Sequence, residues 1–117
     1  MKISQIADLL SAEVYCCEEL LTEEVHAACG SDMMSDVLAY VKDQAVLLTG
    51  LVNPQVVRTA MMMDMRCLVF VRSKKPTADM VALAHENHIA VLGTDYRMYE
   101  ACGMLYYAGL GRMPEGN

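Results

Sequence analysis

The sequence predicts an α/β fold in three layers, with helices covering both faces of a largely parallel sheet. Three observations carry that reading. From Ala45 onward, strand and helix patterns alternate three times in succession. The strand segments AVLLT (45–49), CLVFV (67–71) and IAVLG (89–93) are continuous apolar runs, as expected where both faces of a strand are covered. Turn and cap residues follow each run, and successive strand–helix–strand units favour right-handed crossovers and therefore parallel neighbours. At 117 residues the chain is about one domain's worth, so a single domain over 1–117 is expected, frayed over 111–117.

Ser4 is a candidate N-cap for a first helix reaching about Ser11, with Ile6, Leu9 and Leu10 at helical spacing. EVYCC (13–17) and EEVHAAC (23–29) lean toward strand, with EELLT between them. Gly30 breaks the second run. Ser31 or Asp32 can then cap a helix over 32–42 that carries Met34, Val37, Leu38 and Val41 on one face. After AVLLT, Asn53 and Pro54 form a cap and first-turn pair: Asn accepts an unpaired backbone N–H, and Pro has none to leave unpaired. That helix presents Val57, Ala60, Met61 and Asp64 along one stripe. RSKKPT is the loop after CLVFV, and Thr77 caps the helix over 78–88. Beyond IAVLG, Thr94 and Asp95 compete to cap a last helix that ends at Gly109.

Composition narrows the function classes. Nine Lys and Arg against 15 Asp and Glu leave a net charge of −6, a field that repels phosphate backbones, so a nucleic acid polymer is not an expected partner. The apolar runs are far shorter than the ~20 residues a membrane helix needs. With an amphipathic start in place of a signal-peptide core, a cytoplasmic location is expected. The hydrophobic fraction of 55% is high for a small domain, whose surface-to-volume ratio is poor, and this raises the expectation of a subunit interface.

In a parallel sheet the strands end at one edge, and open α/β sheets bind ligands there. Thr49, Gly50, Asn53, Arg72, Ser73, Lys74, Thr94 and Asp95 are therefore the candidate ligand-binding residues. Gly50 allows close approach of backbone, the helix from Pro54 directs unpaired N–H groups upward, and Arg72 and Lys74 bring cationic charge to an acidic protein. The set suits a small anion such as a phosphate or carboxylate group, possession of which a nucleotide would satisfy. Neither G-x-G-x-x-G nor a Walker-type loop occurs.

No cofactor, metal site or catalytic residue is expected. The five cysteines (16, 17, 29, 67, 102) show no C-x-x-C pair, and adjacent Cys16 and Cys17 in a strand would point to opposite faces. His85 and His88 share a predicted helix but lack a third partner, and no nucleophile motif is present. In the last helix Met98, Ala101, Cys102, Leu105 and Ala108 form one apolar stripe, while Tyr99, Gly103, Tyr106 and Leu110 form a second. One stripe can face the sheet. The second either lies under the N-terminal elements or forms the interface of a homodimer, closed two-fold dimers being the commonest assembly. MMMDM (61–65) could belong to the core or to such a surface.

Taken together, GSDMMSDVLAYV, LLTGLVNPQVVRTA, VFVRSKKP and LGTDYRMYEACGMLYYAGL resemble a stand-alone DRTGG domain over roughly residues 5 to 110. The resemblance implies the fold of the N-terminal domain of HPr kinase/phosphorylase. It also implies a role like that of the DRTGG inserts between CBS domains of some pyrophosphatases: regulation and dimer contact without catalysis. Kinase activity is not implied, because in the HPr enzyme the phosphate-binding loop belongs to a separate domain. Similar short proteins occur beside iron–iron hydrogenase and related redox genes, which implies a redox-enzyme partner. One departure stands out: the string that names the family is absent, and YVKDQ (40–44) stands where it is expected. The two functions that follow are a dimeric, non-catalytic module sensing a small anionic ligand or nucleotide, and an assembly factor acting through its final helix.

Overall fold

A computed structural model of the chain describes residues 1–40 and 45–111, so most of YVKDQ and of the expected frayed tail lie outside the described residues. Its core is a five-stranded sheet in the order β1-β5-β4-β3-β2, built from β1 (Glu13–Cys16), β2 (Ala27–Gly30), β3 (Ala45–Thr49), β4 (Cys67–Phe70) and β5 (Ala90–Gly93). β2, β3, β4 and β5 run parallel, and β1 is an antiparallel edge. The three apolar runs from Ala45 onward form the parallel centre, as their composition predicts.

Alternation along the strands separates two cores. Val46, Leu48, Cys67, Val69 and Leu92 face Ile3 and Ile6 of α1 (Ile3–Leu9) and Ala101 and Leu105 of α5 (Met98–Tyr107). Leu47, Leu68, Phe70 and Val91 face Val37 of α2 (Met34–Tyr40), Val56, Val57 and Ala60 of α3 (Pro54–Met62), and Met80 and Ala84 of α4 (Ala78–Glu86). Every residue of β3 and β4 is buried, because neither face of the sheet centre meets water. The layers are thus α/β/α, as the fold class requires.

Local chemistry explains the boundaries. Asn53 Oδ1 accepts from Gln55 N at 2.8 Å with Pro54 in the first turn of α3, and Thr77 Oγ1 accepts from Met80 N at 3.2 Å at the start of α4. At the far end of α5, Leu110 N donates to Leu105 O and Gly109 N to Tyr106 O, both at 3.0 Å. This is a Schellman ending, with Gly109 at φ 108° supplying the left-handed residue.

Several boundaries depart from the sequence reading. The N-cap of α1 is Lys2 and not Ser4; its backbone N–H is held by Gln5 Oε1 at 2.8 Å. Residues 23–25 do not join β2, because their backbone pairs with the N-terminal segment: Ile3 N donates to Glu23 O and Val25 N to Met1 O. EELLT forms a 3₁₀ turn, Glu18–Thr22. Gly30 ends β2 instead of breaking it; a Cβ there would lie 2.6 Å from Cys102 Sγ, so glycine lets the side chains of α5 come close. α2 begins at Met34, past Asp32, and Leu38 is exposed on it. Met61 is likewise exposed on α3, while Met65 is buried. The cap of α5 falls at Arg97, past Thr94 and Asp95, both of which have other partners.

Candidate functional site

Register places the strand ends side by side. Gly30 pairs with Leu48, Thr49 with Phe70, and Phe70 with Gly93, so the segments leaving four parallel strands emerge along one rim. β1 enters at the same rim, with Glu13 opposite Gly93. Gly50 and Gly93 therefore lie at the same end of the sheet.

The rim residues gather in two groups. In the first, Thr49 Oγ1 and Gly50 N both donate to Asp32 Oδ1, at 3.0 and 2.7 Å, and Leu51 N donates back to Thr49 Oγ1 at 3.1 Å. Arg72 lies across Gly50: a Cβ at that glycine would meet Arg72 Nη2, with Nε at 2.8 Å and Cζ at 3.0 Å. Its Nη2 stands 3.8 Å from Asp32 Oδ2, an ionic contact longer than a hydrogen bond. Arg72 and Ser73 each have φ 59°, a left-handed conformation that costs non-glycine residues about 1 kcal/mol or more. Bonds from Arg72 N to Tyr96 O (2.8 Å) and from Ser73 N to Thr94 O (3.1 Å) hold them there.

The second group lines a polar pocket of about 250 Å³ between Ser11, Glu13 and Tyr15 on one side and Ser73, Lys74, Lys75, Gly93, Thr94 and Asp95 on the other. Ser73 Oγ donates to Asp95 Oδ1 at 2.7 Å. The Tyr15 ring lies over Gly93, where a Cβ would come within 2.8 Å of Tyr15 Cε2. Burial, then the Glu13 carboxylate beside it, pushes the Tyr15 phenol above its usual range. Thr94 is buried, and its hydroxyl donates to Leu10 O at 2.7 Å, tying the end of α1 to the rim. Asn53 is engaged in capping α3.

Asp32 is the residue that sequence reasoning missed as part of this site. Its signal was present only conditionally: an acidic residue just past a strand becomes a rim residue once that strand is known to pair parallel with β3. Ser11, Glu13 and Tyr15 required the placement of β1 at the sheet edge.

On the α1/α5 side, an open apolar groove of about 910 Å³ runs between α5 and β2, floored by Ala28, Gly30 and Leu48 and walled by Met98, Cys102 and Leu105. Tyr99 is 90% exposed and Tyr106 is exposed along its border, whereas Leu110 is buried in the protein's own core. Gly103 faces open space, with nothing within 4 Å of a would-be Cβ.

The cysteines and histidines do not assemble into a ligand set; among the described residues no group of three could hold a metal ion. Cys17 steps out of β1 at φ 62°, so it does not alternate with Cys16 as a strand neighbour would. Its Sγ lies 3.9 Å from His85 Nδ1, and burial, with Cys16 and Glu19 nearby, pushes its thiol up to about 12. Burial also raises the Cys67 thiol. α4 ends at Glu86, and His88 has φ 56°, so the two histidines do not share a helix. No helix among the described residues is long and apolar enough to cross a membrane.

No curated protein matches the sequence. A solved structure of the CBS and DRTGG domains from the regulatory region of Clostridium perfringens pyrophosphatase, complexed with the activator diadenosine tetraphosphate, is similar with a TM-score of 0.74 at 18% identity. The likeness covers 89% of this chain but 45% of that one, and at such identity it speaks for the fold. The family model of the DRTGG domain matches residues 5–108, which includes the whole sheet, the rim and α5, and the chain therefore belongs to the DRTGG domain family.

Proposed function

We propose that the chain is a non-catalytic, dimeric regulatory module that senses a small anion, either free phosphate or the phosphate group of a nucleotide, at the rim of the sheet. The observation that carries this reading is the Arg72 guanidinium laid across Gly50 at the ends of parallel strands. A guanidinium presents a planar fork of donors matched to phosphate and carboxylate oxygens, and Lys74 and Lys75 add charge beside it. The neighbouring polar pocket of about 250 Å³ has room for a phosphate group. The pyrophosphatase regulatory region, which is complexed with a nucleotide activator, supports the regulatory part of the reading.

The test is thermal stability in the presence of phosphate, adenine nucleotides and small carboxylates. A ligand at about 100 times its Kd adds roughly 2.7 kcal/mol to the folded state, which for a domain of this size is a rise of roughly 10 °C or more in Tm. Arg72→Ala is expected to abolish the rise. A rise unchanged in Arg72→Ala, or none in the unmodified protein across the panel, would refute the rim as an anion site.

The second reading, an assembly factor working through its final helix, is favoured by the groove beside α5. Gly103 sits within that helix, where glycine costs about 1 kcal/mol relative to alanine, and nothing in the monomer requires it. Close approach of another chain along Tyr99, Gly103 and Tyr106 would. A second copy of this chain is the simplest occupant, and the redox enzyme implied by the family resemblance is the alternative one. Gly103→Glu is expected to convert a dimer to a monomer in light scattering with unchanged circular dichroism; a dimer that survives this change would move the interface elsewhere.

A further inference from the structure

We propose that Asp32 is a resident anion that occupies the rim site and must leave it before an external phosphate can bind. The inference rests on the anion reading above and specifies how that site is regulated. Gly50 N has a single hydrogen, and it is given to Asp32 Oδ1 at 2.7 Å. Thr49 has a single hydroxyl hydrogen, given to the same oxygen at 3.0 Å. The other carboxylate oxygen faces the Arg72 guanidinium at 3.8 Å. An amide N–H at a strand end, a hydroxyl and a guanidinium converging on one carboxylate are the donors a phosphate oxygen would use. The chain satisfies them itself.

Two features make the arrangement displaceable. Asp32 and Arg72 are about half exposed, at 50% and 47% of the side chain, and ion pairs that solvated are weak. Moreover, the contact to Arg72 is ionic and not a close bidentate pair, so the guanidinium fork retains its capacity for a tetrahedral anion. A phosphate arriving at Arg72 repels the Asp32 carboxylate and competes for Gly50 N–H and the Thr49 hydroxyl. Asp32 precedes α2 by two residues, so its release removes one of the ties on the link between β2 and α2, which Ser31 also holds through Leu48 O and Met33 N. Anion binding is thereby converted into a change at the edge of the sheet.

The experiment is a phosphate titration by calorimetry, repeated with adenosine monophosphate, on the unmodified protein and on Asp32→Ala, Asp32→Asn, Arg72→Ala and Asp32→Ala/Arg72→Ala. Removing a like charge this close is expected to tighten phosphate binding about tenfold in Asp32→Ala, with a smaller gain in Asp32→Asn, which keeps an acceptor for Gly50 and so preserves the turn. The double variant is expected not to bind. Tighter binding of the nucleotide than of phosphate would identify the nucleotide as the source of the anion, and tighter binding of phosphate would identify the free ion. Binding in the unmodified protein that is lost in Arg72→Ala yet unchanged in both folded Asp32 variants would overturn the role of Asp32 and leave the anion site standing. Absence of binding in every variant would overturn both.

Discussion

Phe70→Ala is expected to destabilise the protein by about 3–5 kcal/mol, the usual cost of truncating a buried phenylalanine. Phe70 is fully buried on β4, the middle strand of the five, and packs in the layer formed with α3 and α4. The loss combines the transfer of its ring out of an apolar environment with the cavity left beneath two helices. Against a total stability of about 5–15 kcal/mol for a domain, that is a large fraction. Urea unfolding checks it: the midpoint should fall steeply with little change in slope, and Phe70→Leu, which nearly conserves volume, should cost less than half as much. A loss below about 1 kcal/mol in the alanine variant would mean that this layer is not packed as described.

Thr94→Val should cost about 1–3 kcal/mol although it changes shape very little. The Thr94 hydroxyl donates to the buried side of the rim at Leu10 O (2.7 Å) and accepts from Tyr96 N (3.3 Å). Valine fills the same volume but leaves the Leu10 carbonyl without that donor. Leaving a buried acceptor unmade is the expensive half of hydrogen-bond energetics, since neither water nor protein then replaces it. Thr94→Ser, which keeps the hydroxyl, should recover most of the loss in the same unfolding measurement. Equal stability of the valine and wild-type proteins would remove the proposed joint between α1 and the rim. The sequence offers this residue as a ligand contact; in the fold it lines the rim pocket with its hydroxyl already committed to Leu10 O and Tyr96 N.

What was legible in the sequence follows from where the information resides. β3, β4 and β5 announce themselves because a strand covered on both faces must be apolar throughout, and α3 and α4 because Asn53, Pro54 and Thr77 act on neighbouring amides. These are local signals. β2 is less local: the run EEVHAAC leans toward strand, but which part of it joins the sheet is fixed by pairing with β3 and by the room α5 needs above Gly30. The run from Glu23 to Val25 reads as its continuation but pairs with Met1–Ile3 instead, through Ile3 N to Glu23 O and Val25 N to Met1 O, contacts distant in sequence. The rim was legible in outline, since parallel strands must end together. That Asp32 fills its donors, or that Thr94 is turned inward, depends on tertiary contacts that no local pattern records.

The proposed anion site lies at Gly50 and Arg72, where β3 and β4 end. Amide chemical shifts followed during a phosphate titration at constant pH and ionic strength test it most directly. The largest saturable changes are expected on Gly50, Arg72 and Ser73, with Asp32 and the start of α2 moving at the same phosphate concentration. Saturable binding that leaves Gly50 and Arg72 unmoved, or no saturable change anywhere, would contradict it.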